Sequence, residues 1–225
     1  MSAAKAYKGI GMEGSLARWY DRTTRKAMPE FSVLAERIAA LVPAGGSILE
    51  VAPGPGFLSI ELARRGFNVH AVDISETFVT IARRNAVAAG VTVRFERGNA
   101  AALPAEDASV DFVVCRAAFK NFAEPVQALR EMRRVLKTGG TALLIDMRRD
   151  VAVAEIQRYV ARLGVGWLNR QFMMFTFRNM LIKRAYPLSE IQRMTADAGW
   201  RETKIETAPL GFEAWMSQLQ AAPAA

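Results

Sequence analysis

Ile48-Leu49-Glu50-Val51-Ala52-Pro53-Gly54-Pro55-Gly56-Phe57 reads as an apolar strand that runs into a glycine-rich turn and then into a helix. Its apolar residues are too continuous to face water, so the strand is expected to be buried on both faces. Glycines are needed in the turn because a bound cofactor must approach the backbone more closely than a β-carbon allows. As a dinucleotide fingerprint the turn matches poorly, because Ser59 stands where the third glycine of G-x-G-x-x-G belongs. Glu50, on the strand itself, would repel a pyrophosphate and favours a cationic group instead. Downstream, Asp73 ends the next apolar strand, where an acid can accept both hydroxyls of a ribose. The turn and the two acids together describe a nucleoside cofactor with a positively charged or zwitterionic tail.

Outward from this stretch, short apolar runs alternate with amphipathic ones. Strands are expected at Ser47–Ala52, Asn68–Asp73, Thr92–Arg97, Val110–Arg116 and Thr141–Met147, and helices at Leu58–Arg65, Glu76–Ala89 and Glu124–Leu136. Such alternation implies right-handed crossovers and a mostly parallel sheet covered on both faces. Two helices precede it, Glu13–Met28 and Pro29–Val42, the second with Pro29 in its first turn and Phe31, Leu34, Ile38 and Leu41 at helical spacing. After Met147 the rhythm breaks. Val151–Leu163 and Asn169–Arg184 read as consecutive helices, then comes helix Leu188–Ala198, stopped by Gly199. The last two strands, Trp200–Thr207 and Gly211–Met216, are close enough in sequence to pair antiparallel. The expected fold is therefore α/β: a doubly wound, mostly parallel seven-stranded sheet with a C-terminal antiparallel pair and helical lid elements. One domain over 1–225 is expected, with an N-terminal helical lid at 1–42, a cofactor-binding core at 47–147, a helical cap insertion at 148–184, and a last helix with terminal strands at 185–225.

Composition narrows the chemistry. At 225 residues, with 51% hydrophobic and 23% charged residues, the chain can bury a sizeable core without disulfides or metals. One cysteine, Cys115, excludes a disulfide scaffold and a cysteine zinc site, and fits a reducing, cytoplasmic setting. One histidine, His70, leaves most hydrolase and metalloenzyme mechanisms without their parts, and no metal is expected. Residues 1–14 lack the apolar run of a signal peptide or anchor. The net charge of +8 is localised: residues 1–28 and 148–184 are basic, and 29–147 is neutral.

These motifs resemble the class I S-adenosylmethionine-dependent methyltransferases, and their small-molecule, type 11 branch in particular, over roughly Leu34 to Met147. The resemblance implies a Rossmann-like methyltransferase fold with S-adenosyl-L-methionine as the cofactor. It puts the acidic, glycine-rich first motif at Glu50, Ala52, Pro53, Gly54, Gly56 and Phe57, the ribose-binding acid at Asp73 beside Ile74, and the adenine-facing turn at Gly98-Asn99-Ala100. Asp111 to Arg116 is similar to the family's fourth-strand motif, with Arg116 at the ligand end, and Val135 to Gly140 is similar to its helix-to-strand turn. An N-terminal helix closes over the cofactor in the family, which makes Tyr20 a lid contact. Three departures stand out. Ala52 replaces the motif's first glycine, Asn99 replaces an aspartate, and Phe119-Lys120-Asn121-Phe122 stands where many relatives carry histidines.

The expected reaction is methyl transfer by direct in-line displacement to an O, N or C nucleophile of a small, largely apolar acceptor, which nearby arginines would allow to be anionic. An RNA methyltransferase and a non-catalytic S-adenosylmethionine-binding protein are the alternatives. No dedicated base is required for a phenolate, carboxylate or free amine; Tyr20, Glu13, Lys120 and Asn121 are the candidates if one is. The acceptor is expected to meet Phe119, Lys120, Arg149, Phe172, Phe175 and Arg178, with Arg170 nearby. The Met- and Phe-rich stretch from Trp167 reads as an adaptable apolar cap. A homodimer interface through 167–184 is its competing reading, and peripheral membrane contact a less favoured one. Nucleic acid is not an expected partner. Cys115 and His70 read as packed strand residues.

Overall fold

The computed structural model describes residues 7, 8, 11–162, 166, 167, 171, 174 and 182–218. In chain order these form α1 (Gly14–Thr24), α2 (Met28–Ala39), β1 (Ser47–Val51), α3 (Phe57–Arg64), β2 (Asn68–Asp73), α4 (Glu76–Ala89), β3 (Arg94–Arg97), β4 (Val110–Arg116), α5 (Pro125–Val135), β5 (Leu136–Met147), α6 (Val153–Arg162), α7 (Leu188–Asp197), β6 (Glu202–Thr207) and β7 (Gly211–Ser217). The seven strands make one sheet in the order β3-β2-β1-β4-β5-β7-β6. Strands β1 to β5 run parallel, and β7 lies antiparallel between β5 and β6.

The central strands are apolar on both faces because each face has its own helical layer. On one, Leu49, Val51, Val113, Cys115 and Leu144 pack with Leu129 and Met132 of α5 and Ile191 and Met194 of α7. Ile48, Phe112, Val114 and Leu143 alternate with them and pack on Phe31, Leu34 and Ile38 of α2 and Leu58 and Leu62 of α3. Among the described residues no helix is long and apolar enough to cross a membrane, and no cluster of ligating side chains could hold a metal.

Several boundaries differ from the sequence reading. The helix expected over Glu13–Met28 is α1 followed by one 3-10 turn, Arg25–Ala27, which feeds α2 with Pro29 in the first turn, where a missing N–H costs nothing. Helix α2 stops before Leu41, which is 57% exposed. Strand β5 starts at Leu136, which pairs with Val110 ahead of a register shift, so the expected turn at 135–140 is absorbed into the strand. Gly140 permits this, since a β-carbon there would lie 2.9 Å from the Lys137 carbonyl and 3.0 Å from that of Asp111. Strand β6 starts at Glu202, leaving Trp200 buried just before it. Most of the expected helix Asn169–Arg184 lies outside the described residues, with Arg170, Phe172, Phe175 and Arg178; its end, Ile182–Arg184, is a 3-10 turn.

Candidate active site

Strand order reverses between β1 and β4, and the crevice above their carboxyl ends is where open α/β sheets receive ligands. The backbone leaves β1 through Ala52 at φ 59°, tied by its N–H to the Val72 carbonyl at 2.8 Å, and continues through Gly54 at φ 55° and Gly56 at φ 81°. The two glycines serve different ends. A β-carbon on Gly56 would strike Phe95 at 2.8 Å and Ala82 at 2.9 Å, so this glycine lets α3 pack on α4 and β3. On Gly54 it would find nothing nearer than Tyr20 Cε1 at 3.9 Å and Phe78 Cζ at 4.0 Å, so the loop's outer face is open.

Asp73 sits beneath this loop. Its Oδ2 accepts the Gly54 N–H at 3.0 Å and its Oδ1 the Ser75 N–H at 2.9 Å, so each oxygen keeps a free lone pair. Burial pushes its pKa up to about 6, against the pull of those two N–H donors. Glu50 is 3% exposed and accepts a hydrogen bond from the Ser59 hydroxyl. Burial lifts its pKa to about 7, with Ser59 and the field of Arg116 opposing. Among the described residues no cation pairs with the Glu50 carboxylate.

The other expected residues are distributed unevenly. Tyr20 on α1 meets the ring of Phe78 edge-on, 5.8 Å between centroids, at the open face of Gly54. Asn99 turns its Oδ1 back to the Ala101 N–H at 3.0 Å, so the oxygen expected to meet an adenine already closes its own turn, and half-buried Ala100 lies inside that turn. Arg116 swings to the rim, where it reaches Glu30 at 3.1 Å and covers the ring of Phe31 at 4.6 Å. Pro53 and Ile74 are half-buried at the loop and the β2 end, whereas the ring of Phe57 packs into the core on Phe31. Glu13 caps α4 by accepting the Thr77 N–H at 3.1 Å.

Several residues expected to meet the acceptor take other roles in the structure. The Lys120 ammonium is buried against Asp146 at 2.6 Å and donates to the Ala117 carbonyl at 2.9 Å, so it braces strand ends rather than facing a ligand. Phe119 is 1% exposed and meets the ring of Phe122 edge-on and that of Tyr186 at a tilt. Asn121 presents its backbone carbonyl to the Lys8 N–H at 2.7 Å. Arg149 points outward to Glu190 at 3.1 Å. Cys115 is fully buried, and burial holds its thiol well above the ordinary range. His70 lies on β2 with Nε2 3.2 Å from Glu96.

The methyltransferase domain family, type 11, matches residues 49–144. A demethylmenaquinone methyltransferase from Deinococcus radiodurans is 41% identical over 109 residues, 48% of this chain and 45% of that protein. The ubiquinone/menaquinone biosynthesis C-methyltransferase UbiE of Xylella fastidiosa is 30% identical over 172 residues, covering 72% of this chain and 68% of its own length. The chain belongs to the S-adenosylmethionine-dependent methyltransferase family. A methyltransferase of this kind from Aquifex aeolicus shares the fold, with a TM-score of 0.68 at 23% identity over 91% of this chain and 98% of that one. The chain spans about half the length of the first relatives it matches.

S-adenosyl-L-methionine is the cofactor of this methyltransferase family, and the crevice fits it. A buried carboxylate with no paired cation among the described residues, a second acid with free lone pairs and a loop face with room above Gly54 suit an ammonium, a ribose and a close backbone contact respectively. Sequence reasoning missed Asp146, which holds the Lys120 ammonium, and Tyr186, whose ring meets that of Phe119. Asp146 alone carried a signal, since like Asp73 it stands at the carboxyl end of a parallel strand.

Proposed function

We propose that the chain moves the methyl group of S-adenosyl-L-methionine to a hydroxylated, largely apolar ring of the quinone-precursor class, in the cytoplasm. The observation that carries the methyl-transfer reading is Glu50: an acid lifted by burial and, among the described residues, hydrogen-bonded only to Ser59 calls for a cationic ligand directly beside the glycine loop. The acceptor class is supported by the names of the Deinococcus and Xylella relatives, neither of which speaks for RNA. In this reading Glu50 holds the amino group, Asp73 the ribose hydroxyls, and Ile74, Asn99 and Ala100 line the base, while Tyr20 closes over the open face of Gly54.

When bound, the cofactor supplies an electrophilic methyl group on sulfur. The chain's contribution is alignment and exclusion of water, which for well-oriented reactants corresponds to effective molarities on the order of 10⁵ M or more. Lys120, held by Asp146, and Cys115, a buried thiol, are not bases here, so an acceptor that ionises on its own suits the crevice. Incubation with methyl-labelled cofactor and reduced demethylmenaquinone tests the reading: label should enter the organic extract. Cofactor binding with no transfer to any quinol would favour the non-catalytic alternative.

A further inference from the structure

We infer that Asn85 is a positioning residue that couples the seating of α1 to the shape of the glycine loop, so that α1 and the cofactor take their places cooperatively; the inference rests on the cofactor placement proposed above. Asn85 lies on α4, is buried, and meets three other parts of the chain at once. Its Nδ2 donates to Asp21 Oδ1 on α1 at 3.0 Å and to the Pro55 carbonyl in the loop, also at 3.0 Å. Its Oδ1 accepts from Arg25 Nη2 at 3.1 Å, in the turn that follows α1. Both amide hydrogens are thus committed, and because they share one planar group the bond to α1 fixes the direction of the bond to the loop.

The loop's other ties run to β2 or stay within the loop. The Val72 carbonyl holds the Ala52 N–H, Asp73 holds the Gly54 N–H, and the Gly56 N–H turns back to the Pro53 carbonyl at 3.1 Å. Among the described residues, Asn85 is the loop's one hydrogen-bonded link to α1. The carbonyl it holds lies between Gly54 and Gly56, both at positive φ, where the backbone is free to turn unless it is fastened. On the α1 side, Asp21 is buried and takes its shortest bond from Asn85. Arg25 and Arg84 approach it at 3.4 and 3.3 Å from exposed positions, where ion pairs contribute little. Tyr20, the next residue, stands at the open face of Gly54.

Lifting α1 would strip Asn85 of the partner for one hydrogen and of the guanidinium on its oxygen, and would leave the amide free to turn away from Pro55. A ligand that needs the loop in its present shape therefore favours α1 in place. Linkage makes the effect reciprocal, so α1 in place favours that ligand by the same factor. Loading of the cofactor and closure of α1 beside its binding loop become one event.

The test uses the full chain with S-adenosylhomocysteine as probe, its affinity read by calorimetry and the seating of α1 by tryptic cleavage after the exposed Arg18 and Arg22. Saturating probe should slow that cleavage in the wild type by about fivefold or more. Asn85→Leu should weaken probe binding by the same factor and abolish the protection. Exchanging the pair, Asp21→Asn with Asn85→Asp, keeps an amide-to-carboxylate bond between α1 and α4 but leaves no donor for Pro55. The exchanged protein should be cleaved at the wild-type rate when free, yet lose probe affinity and protection. Asp21→Asn alone keeps an acceptor for Asn85 and should retain both. No protection in the wild type, wild-type affinity and protection in the exchanged protein, or equal losses in Asp21→Asn and Asn85→Leu would overturn the inference. Asp73→Ala is measured alongside. Weakened binding there with wild-type affinity in the Asn85 variants sinks this inference alone, and unchanged binding there with the coupling intact sinks the cofactor placement alone.

Discussion

The Lys120 ammonium and the Asp146 carboxylate form a buried ion pair, 2.6 Å apart, that ties the turn after β4 to the end of β5. Asp146 also accepts the backbone N–H groups of Lys120 at 2.9 Å and Met147 at 2.7 Å. Removing one partner of such a pair leaves an uncompensated buried charge. Lys120→Met should therefore cost about 3–5 kcal/mol of stability, and adding Asp146→Asn should recover part of it by keeping an acceptor while discarding the charge. Denaturant unfolding of the two variants checks this. Loss of methyl transfer in a Lys120→Met protein of unchanged stability would return the lysine to the list of bases.

Stability and cofactor binding should respond to pH in opposite senses. Glu50 and Asp73 have folded pKa values raised to about 7 and about 6, above ordinary values of 4.5 and 3.8. Between those limits the native state holds more protons than the unfolded chain, so stability falls as pH rises from about 4 to about 7 and then levels. For Glu50 this loss is on the order of 3 kcal/mol. A cationic ligand offsets it, so S-adenosylmethionine affinity should rise over the same interval with release of protons. Calorimetry in buffers of different ionisation enthalpy reads that release. Glu50→Gln should be the more stable protein at pH 8, should bind the cofactor more weakly, and should lose most of the proton release.

Gly54 and Gly56 should separate on substitution. Gly56→Ala meets Phe95 and Ala82 inside 3 Å at positive φ, so a loss of roughly 2–4 kcal/mol is expected from overpacking and left-handed backbone together. Gly54→Ala carries the backbone strain alone, about 1–2 kcal/mol, and should instead weaken S-adenosylhomocysteine binding by narrowing the approach beside Tyr20. Thermal melts with and without that ligand distinguish the two. Equal loss of ligand affinity in a folded Gly56→Ala protein would contradict the division of roles.

Cys115→Ala should keep methyl transfer. The thiol is fully buried in β4 among Leu49, Val113 and Leu144, and burial keeps it protonated. A modest fall in melting temperature is the only expected change. Inactivity in a variant that still binds S-adenosylhomocysteine would indicate covalent catalysis.

The cofactor side of the crevice was legible in the sequence because its parts lie on one strand-turn-helix unit and the next strand, where local pattern fixes position. Glu50, Gly54 and Asp73 are all within a short stretch, and each residue type has a narrow set of reasons to be there. The acceptor side was not legible, because its geometry comes from contacts between distant segments. Arg148 and Arg149 are adjacent cations in one basic stretch, and only the fold reveals that Glu155 takes the first and Glu190 the second. Lys120 illustrates the same limit, since no spacing rule joins it to Asp146. Asn99 was read by residue type, but its oxygen answers to its own backbone two residues on.

Among the described strands, β6 touches none but β7, and β7 closes the outer edge of β5 from Thr141 to Met147. Of the described strands, β7 is the last to leave the ribosome, so β5 carries an unsatisfied apolar border for as long as synthesis continues beyond it. Until Gly211–Ser217 emerges, that border can recruit any passing strand, and β6 has nowhere to dock. The terminal hairpin thus acts as a seal on the sheet, and a chain interrupted before it would be a template for aggregation even with its cofactor crevice already formed.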